Sequence, residues 1–442
     1  MAATAATSAL LAPSAAAAWE EPELITSTAT RSSAFALDSN ARGDRILVWK
    51  SGAGFAFTRA APGGAFGPPQ AIGPTDTFRE GFPRVELDER GNALLVWTYH
   101  DKTDPGDRYD SPCCDGLRAR VIRRDGTLTR ASTLAPIGSS VELVDMDIHS
   151  AGRIGVLFRT APGFTRTPDD IQARFGTIAQ GLGGRERVVR RGAAQVVAAL
   201  SLAGSRARVI YPGGSESLTV VRELERVGPR EYRPLESPLR TRIPRHALRF
   251  ATASSGRQAL LGLRPADQVR LHVYAATRER GRRFTLNRVA TDQLATDPPT
   301  LAVEPAGNAF AAWGSLTPVP PVYFNPDRIA SSLRRPSGVF DTAAYHAPLS
   351  GRHDMGPVSA DVSATGRALF AWVEPSGEGR PGPTVTAGFR DPDGSTRDLQ
   401  TLVTSLGSHT PNYAVAIDRA GNATFAYVLL DDLYVVENRA GG

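Results

Sequence analysis

One phrase recurs along this 442-residue chain, and it limits the possible folds more than any other feature. Its clearest copies are residues 87–97, 303–313 and 417–427, each running through Asp-x-x-Gly-Asn or Glu-x-x-Gly-Asn into an apolar run that ends on Trp97, Trp313 or Tyr427. Residues 36–49 and 363–372 are good copies ending on Trp49 and Trp372. Degenerate copies lead to Phe158, Ile210 and Gly262, so the anchors fall at 49, 97, 158, 210, 262, 313, 372 and 427. Such spacing is that of propeller blades with some loops enlarged. Each phrase reads as strand, turn, strand, with glycine supplying the positive φ of the turn. The second strand is apolar at consecutive positions, so both of its faces must be buried, and blades stacked around a ring achieve this. The aromatic anchor then fills the gap between neighbouring blades. Third strands such as residues 117–122, 269–274 and 384–389 alternate apolar with polar and are expected to be outer and half-exposed.

These observations predict an all-β, eight-bladed propeller; seven blades is the alternative, because units three to five are degenerate. The chain ends agree with closure of a ring. The eighth unit stops at residues 434–442 with three strands, and residues 18–25 match the fourth strand of unit one at 65–72. The N-terminal strand is therefore expected to complete the last blade and remove the open edges.

Composition supports this. With 43 Gly and 33 Pro there is little room for long helices, and no stretch approaches the roughly 20 apolar residues of a membrane-spanning helix. Basic residues number 51 against 45 acidic, a net +6 and a pI of 9.6. Lysine occurs only at Lys50 and Lys102, which reads as compositional bias rather than a design for phosphate. Residues 1–18 are Ala-rich and end in an Ala16-Ala17-Ala18 cleavage-type site, although the first basic residue is Arg31. They are read as a signal-peptide remnant ahead of a single propeller domain at 19–442, and the protein as secreted and extracellular.

The Asp-x-x-Gly-Asn turns resemble those of secreted bacterial β-propeller repeat proteins, over residues 18–442. That resemblance implies an architecture and no activity. An eight-bladed ring with adjacent cysteines is also similar to the quinone-dependent alcohol dehydrogenases, but the Gly91-to-Trp97 spacing is longer than in their repeat and the chain is short for that family. The sialidase Asp-box, Ser-x-Asp-x-Gly-x-Thr-Trp, has no good copy.

Candidate functional residues fall on the loops between strands two and three and between blades, which share one face of a propeller. Residues 99–116 carry Asp101, Asp104, Asp107 and Asp110, carboxylates that would suit calcium, the one cofactor considered; the spacing is not that of an EF-hand, and a solvated acidic loop is the competing reading. Cys113 and Cys114 are adjacent and would form a vicinal disulfide or remain two thiols. Arg79, Glu80, Arg84, His100, Tyr323, His353, Asp354 and His409 are the candidate ligand-binding residues of that face. Carboxylates facing arginine there would make an acid/base pair of the kind glycosidases use. Arginine clusters recur on the outer parts of the units, among them Arg118, Arg120, Arg123 and Arg124, then Arg185, Arg187, Arg190 and Arg191. They read as a basic patch for an anionic polymer, or as ordinary pairing with Glu186, Glu223 and Glu225. No nucleic-acid motif accompanies them. The sequence thus leaves two readings: a monomeric, non-catalytic propeller binding a glycan or protein at its loop face, or a secreted polysaccharide hydrolase or lyase acting at the channel mouth.

Overall fold

The computed structural model describes residues 19–27, 34–51, 54–74, 78–101, 115–136, 140–161, 170–189, 197–203, 206–215, 218–235, 239–266, 270–279, 282–294, 299–316, 328–336, 338–346, 358–374, 382–404, 412–430 and 432–439. Strands dominate, and among the described residues the one helical element is a 3-10 turn at Arg245–Ala247. The strands form eight antiparallel blades around a ring. Their innermost strands are, in order, Phe35–Ser39, Phe78–Leu87, Ser140–His149, Ala199–Ser201, Leu248–Thr252, Thr300–Val303, Val358–Val362 and Tyr413–Ile417. Strands at Asn287–Leu294 and Ala309–Leu316 also pair, joining the sheets of blades five and six.

The ring closes as the sequence predicts. Glu23–Thr26 pairs antiparallel with Asp432–Asn438, so the first strand of the chain is the outermost strand of the last blade. Trp19 just before it is buried between blades seven and eight, stacked on Phe389 with ring centroids 5.4 Å apart and edge-on to Phe425 at 6.5 Å.

The recurring turn works as a backbone device. In the second blade Asp88 Oδ1 accepts from the Arg90 and Asn92 amides, and the Gly91 amide donates to the Asp88 carbonyl. Gly91 sits at φ +83°, a conformation that costs an L side chain about 1 kcal/mol or more. The turns also tie blades together, since Asn40 Nδ2 donates to the Asp88 carbonyl of the next blade at 2.9 Å and Asn308 Nδ2 to Ala364 at the same distance.

Second strands are buried on both faces, Ala368–Glu374 throughout. Each aromatic anchor packs on the preceding blade: Trp97 with Ile46 and Phe57 of blade one, Trp313 with Leu261 and Val273 of blade five. Two degenerate units deviate for identifiable reasons. In blade four the residue packed on blade three is Tyr211, one beyond Ile210, which turns toward blade five. In blade five the anchor position is Gly262, where a Cβ would stand 2.6 Å from Ile243 Cδ1; that isoleucine, arriving from blade four, fills the space.

Of the third strands, Leu271–Arg278 is half-exposed as expected, and one other corrects the expectation. Thr384–Arg390 is buried along its whole length, not half-exposed. Its polar positions face neighbouring blades instead of solvent, and the fourth strands, such as Thr396–Thr404, are the exposed ones. Arg390 is an example, reaching Ser331 Oγ at 3.0 Å and Asp341 at 2.6 Å on blade six.

Candidate functional site

Side chains of the innermost strands stand between blades around the central channel, and several that would be apolar in a generic repeat are acidic. Asp38, Glu86, Asp147 and Asp361 lie close before the strand-one-to-two turns of blades one, two, three and seven, and Asp145 precedes Asp147 on the same strand. At that end of the channel the turns enclose a cavity of about 180 Å³, lined by Asp38, Glu86 and Asp361 together with turn residues of most blades.

Four of these five carboxylates have a definite structural partner. The innermost strand of a blade presents amides along its edge, and Asp38, Asp145, Asp147 and Asp361 each accept from an amide of the next blade. Asp38 Oδ2 accepts from Leu87 N at 2.6 Å, Asp145 Oδ2 from Leu200 N at 2.6 Å, and Asp361 Oδ2 from Ile417 N at 3.0 Å. Asp147 takes the Leu202 amide in the same way. A sheet edge that would otherwise lack partners is thereby satisfied from the side.

Burial raises every one of these acids. Asp38 is pushed up to about 8, mainly by desolvation, partly offset by the Leu87 amide, with Asp361 adding like-charge repulsion. Asp145 and Asp361 rise to about 6 from the same primary cause. Glu86 and Asp147 are raised as well, first by burial and then by each other's neighbourhood of acids. Asp38, Glu86, Asp145 and Asp361 keep an edge open to the channel while protein surrounds them elsewhere, so channel water moderates these shifts. Glu86 is distinctive: its carboxylate makes no hydrogen bond to any described residue, and the exposed Arg84 on the same strand favours its charged form.

Of the residues anticipated from sequence, Arg84 is the one whose side chain is described, and it lies on the innermost strand of blade two close to Glu86 and Asp145. The backbones of Arg79, Glu80, His100 and Asp101 lie in the strands Phe78–Leu87 and Ala93–Asp101, with their side chains outside the described residues. Asp104, Asp107, Asp110, Cys113, Cys114, Tyr323, His353, Asp354 and His409 lie outside the described residues altogether. Among the described residues no group of three or more His, Cys, Asp or Glu side chains is placed to hold a metal ion. Sequence reasoning passed over the five channel acids, although a signal exists: aligning the repeats on their turns puts Asp38, Glu86, Asp147 and Asp361 in one column of an otherwise apolar strand.

The arginine clusters separate into two kinds. Arg118 lies over the Tyr99 ring at 4.3 Å and Arg120 donates to the Ile72 carbonyl at 2.8 Å, so these cross-link strands and blades. Glu186, Glu223 and Glu225 do pair with arginines: the buried Glu186 and Glu223 reach arginines of the next blade, and Glu225 those of its own. Glu186 takes both Nε and Nη2 of Arg226 at 2.8 and 2.6 Å, Glu223 takes Arg278 at 2.7 Å, and Glu225 takes Arg233 at 2.7 Å. Arg185 and Arg230 make no such pair with a described residue.

No protein-family model matches the chain, and no curated protein matches it. Among solved structures it is similar to the polysaccharide lyase Uly1, at 9% identity over 96% of this chain and 99% of that one, with a TM-score of 0.44. It is similar also to the Aleuria aurantia lectin AAL in complex with Fucα1-6GlcNAc, at 10% identity over 84% and 96%, with a TM-score of 0.36. The Hadza microbial sialidase Hz136 matches at 11% identity over 70% of this chain and 65% of that one, just under two thirds of its length, with a TM-score of 0.39.

Proposed function

We propose that this chain is an extracellular, non-catalytic binding propeller that takes a glycan or protein ligand at a mouth of its channel. The observation that carries this reading is the engagement of the channel acids: Asp38, Asp145, Asp147 and Asp361 each accept an amide of the neighbouring blade. A carboxylate held in that way joins blades and is not poised to shuttle protons, for which a general acid or base must reach the substrate directly. The cavity at the turn end is polar and rich in acceptors, with Ser39, Asn40, Ser150 and Ser363 beside the acids, and it suits the hydroxyl donors of a sugar. Among the described residues no aromatic side chain lines it.

A hydrolase or lyase reading has one observation in its favour. Arg84 next to Glu86, a carboxylate raised by burial and free of hydrogen bonds to described residues, is the kind of pair an acid/base step uses. The two readings separate in one experiment. Residues 19–442 are incubated with a panel of neutral polysaccharides, melting is recorded with and without each, and the recovered ligand is sized by mass spectrometry. Binding without turnover gives a higher melting temperature and a ligand of unchanged length. Shortened products that disappear in Glu86→Gln would replace this proposal with the enzymatic one.

A further inference from the structure

An open groove of about 740 Å³ lies at the outer part of blades three and four, lined by Gln172, Arg185, Arg187, Val188, Arg230 and Tyr232. We propose that this groove is a binding site for an acidic polysaccharide, a chain of sugars bearing carboxylate or sulfate groups. It is separate from the channel and stands whether or not the channel takes a ligand.

Two independent observations point to such a ligand. The first is uncompensated charge. Arg185 and Arg230 are exposed and have no acidic partner among the described residues, whereas Arg187 is held by Asp170 at 2.8 Å. Arg185 also lies near enough to the half-buried Arg174 to hold that guanidinium's pKa down, after burial itself. The fold therefore tolerates like charges here that a bound anion would relieve. A neighbouring groove offers a contrast: its Arg226 is spent on Glu186, its Arg206 on Glu225 and its Arg153 on the Leu202 carbonyl.

The second observation is an orphan acceptor. Gln172 is only 7% exposed and lines the groove; its Nε2 donates to Thr160 Oγ1 at 2.7 Å, while its Oε1 is buried with no hydrogen-bond partner among the described residues. An unsatisfied buried amide oxygen costs roughly 1–3 kcal/mol, which a ligand donor would recover. A fully ionised anion such as sulfate cannot supply that donor. A sugar hydroxyl beside the anionic group can, and so the pairing of guanidiniums with a buried acceptor selects an acidic sugar over inorganic sulfate.

The walls are held in place by the blade-to-blade pair beneath them. Tyr232 donates to Glu186 Oε2 at 3.0 Å, and the Arg230 amide also bonds the Glu186 carboxylate, with Arg230 at φ 61° in its turn. Glu186 and Asp170 sit among the arginines, and this mixture favours a chain with widely spaced charges over the dense phosphates of a nucleic acid. The single aromatic wall, its hydroxyl already committed, offers no succession of stacking platforms for bases either.

The test uses residues 19–442 with dextran sulfate, polygalacturonate, neutral dextran, inorganic sulfate and a DNA duplex as probes, followed by biolayer interferometry at low and at 0.5 M salt. Expected are binding to the two acidic polysaccharides, none to neutral dextran, and a loss of at least tenfold at high salt. Arg185→Glu with Arg230→Glu should weaken binding at least tenfold at an unchanged melting temperature. Gln172→Leu, which keeps every charge, should weaken the polysaccharides about threefold or more and leave inorganic sulfate alone. The exposed pair Arg282→Glu with Arg283→Glu, on blade five, is the charge control and should change affinity less than twofold. The proposal is overturned if neither acidic polysaccharide binds, if the blade-five pair causes the same loss, or if DNA is the preferred ligand and loses most with the groove variants.

Discussion

Replacing Trp19 with alanine should lower the folding free energy by about 3–5 kcal/mol, the range for deleting a large buried aromatic. Trp19 lies between the last two blades, stacked on Phe389 and edge-on to Phe425, and belongs to the cluster that also holds Tyr427 and Val436. The next contact along the chain is the Glu20 amide donating to the Glu437 carbonyl at 2.7 Å, followed by the pairing of Glu23–Thr26 with Asp432–Asn438. These few residues are what closes the ring. Without them the strand Asp432–Asn438 becomes an open edge able to pair with another chain. Removing residues 19–27 should therefore reduce stability more than Trp19→Ala does and produce association in gel filtration. Urea melts of the two variants against the parent read this directly. A Trp19→Ala midpoint equal to the parent's would mean that closure contributes little.

The second large effect is an inverted dependence of stability on pH. A carboxylate whose folded pKa is raised above its unfolded value favours the folded state most when protonated. Its contribution is complete below the unfolded pKa near 4 and is lost as pH climbs through the folded value. Asp145 and Asp361, raised to about 6, lose theirs first, and Asp38, raised to about 8, loses its last. The ring should thus melt at a lower temperature at pH 8.5 than at pH 5.5. Opposite behaviour comes from His149 and His346, whose protonated forms burial disfavours and of which His346 is lowered to about 4, and at lower pH from acids held low, among them Glu186 and Glu225, whose carboxylates accept hydrogen bonds from arginines against the pull of burial. Asp38→Asn keeps an acceptor for the Leu87 amide and cannot ionise. After allowance for channel water it should gain roughly 2 kcal/mol over the parent at pH 8.5 and almost nothing at pH 3. Calorimetric melts at both pH values check this. A parent more stable at pH 8.5, or an Asp38→Asn variant whose difference from the parent does not change with pH, would show that the channel acids are ionised at little cost.

The ring was legible in the sequence because two local signals coincide in nearly every unit. A glycine that must take positive φ, such as Gly91, fixes where the chain reverses, and an aromatic six residues later, such as Trp97, fixes which face meets the preceding blade. Where the signal weakened, packing had compensated in ways a single unit cannot reveal. Ile243 occupies the space left by Gly262, and in blade four Tyr211 takes the place expected of Ile210. The third strand Thr384–Arg390 misled because alternation of polar with apolar residues suggests solvent on one face, whereas Arg390 uses its polar end to join blades six and seven.

The channel acids were harder to read for a related reason. An acid inside an apolar strand signals a partner, but the partner of Asp38 is a backbone amide 49 residues away, which has no side-chain signature. Gln172 is similar, since a glutamine in a strand is unremarkable until its Oε1 is found buried and unmatched. The arginines near it were visible as a cluster, yet sequence does not separate Arg226, which is committed to Glu186, from Arg230, which is not.

The central claim is that the acids of the channel hold adjacent blades together. Amide hydrogen exchange tests it most directly. In the parent, Leu87, Leu200 and Ile417 should exchange slowly although they lie on the inner edge of their blades, because Asp38, Asp145 and Asp361 accept from them. Asp38→Ala should speed exchange at Leu87 at least tenfold and leave Ile417 slow, while Asp38→Asn keeps Leu87 protected. Fast exchange at Leu87 in the parent, or equal protection with and without Asp38, would contradict the claim.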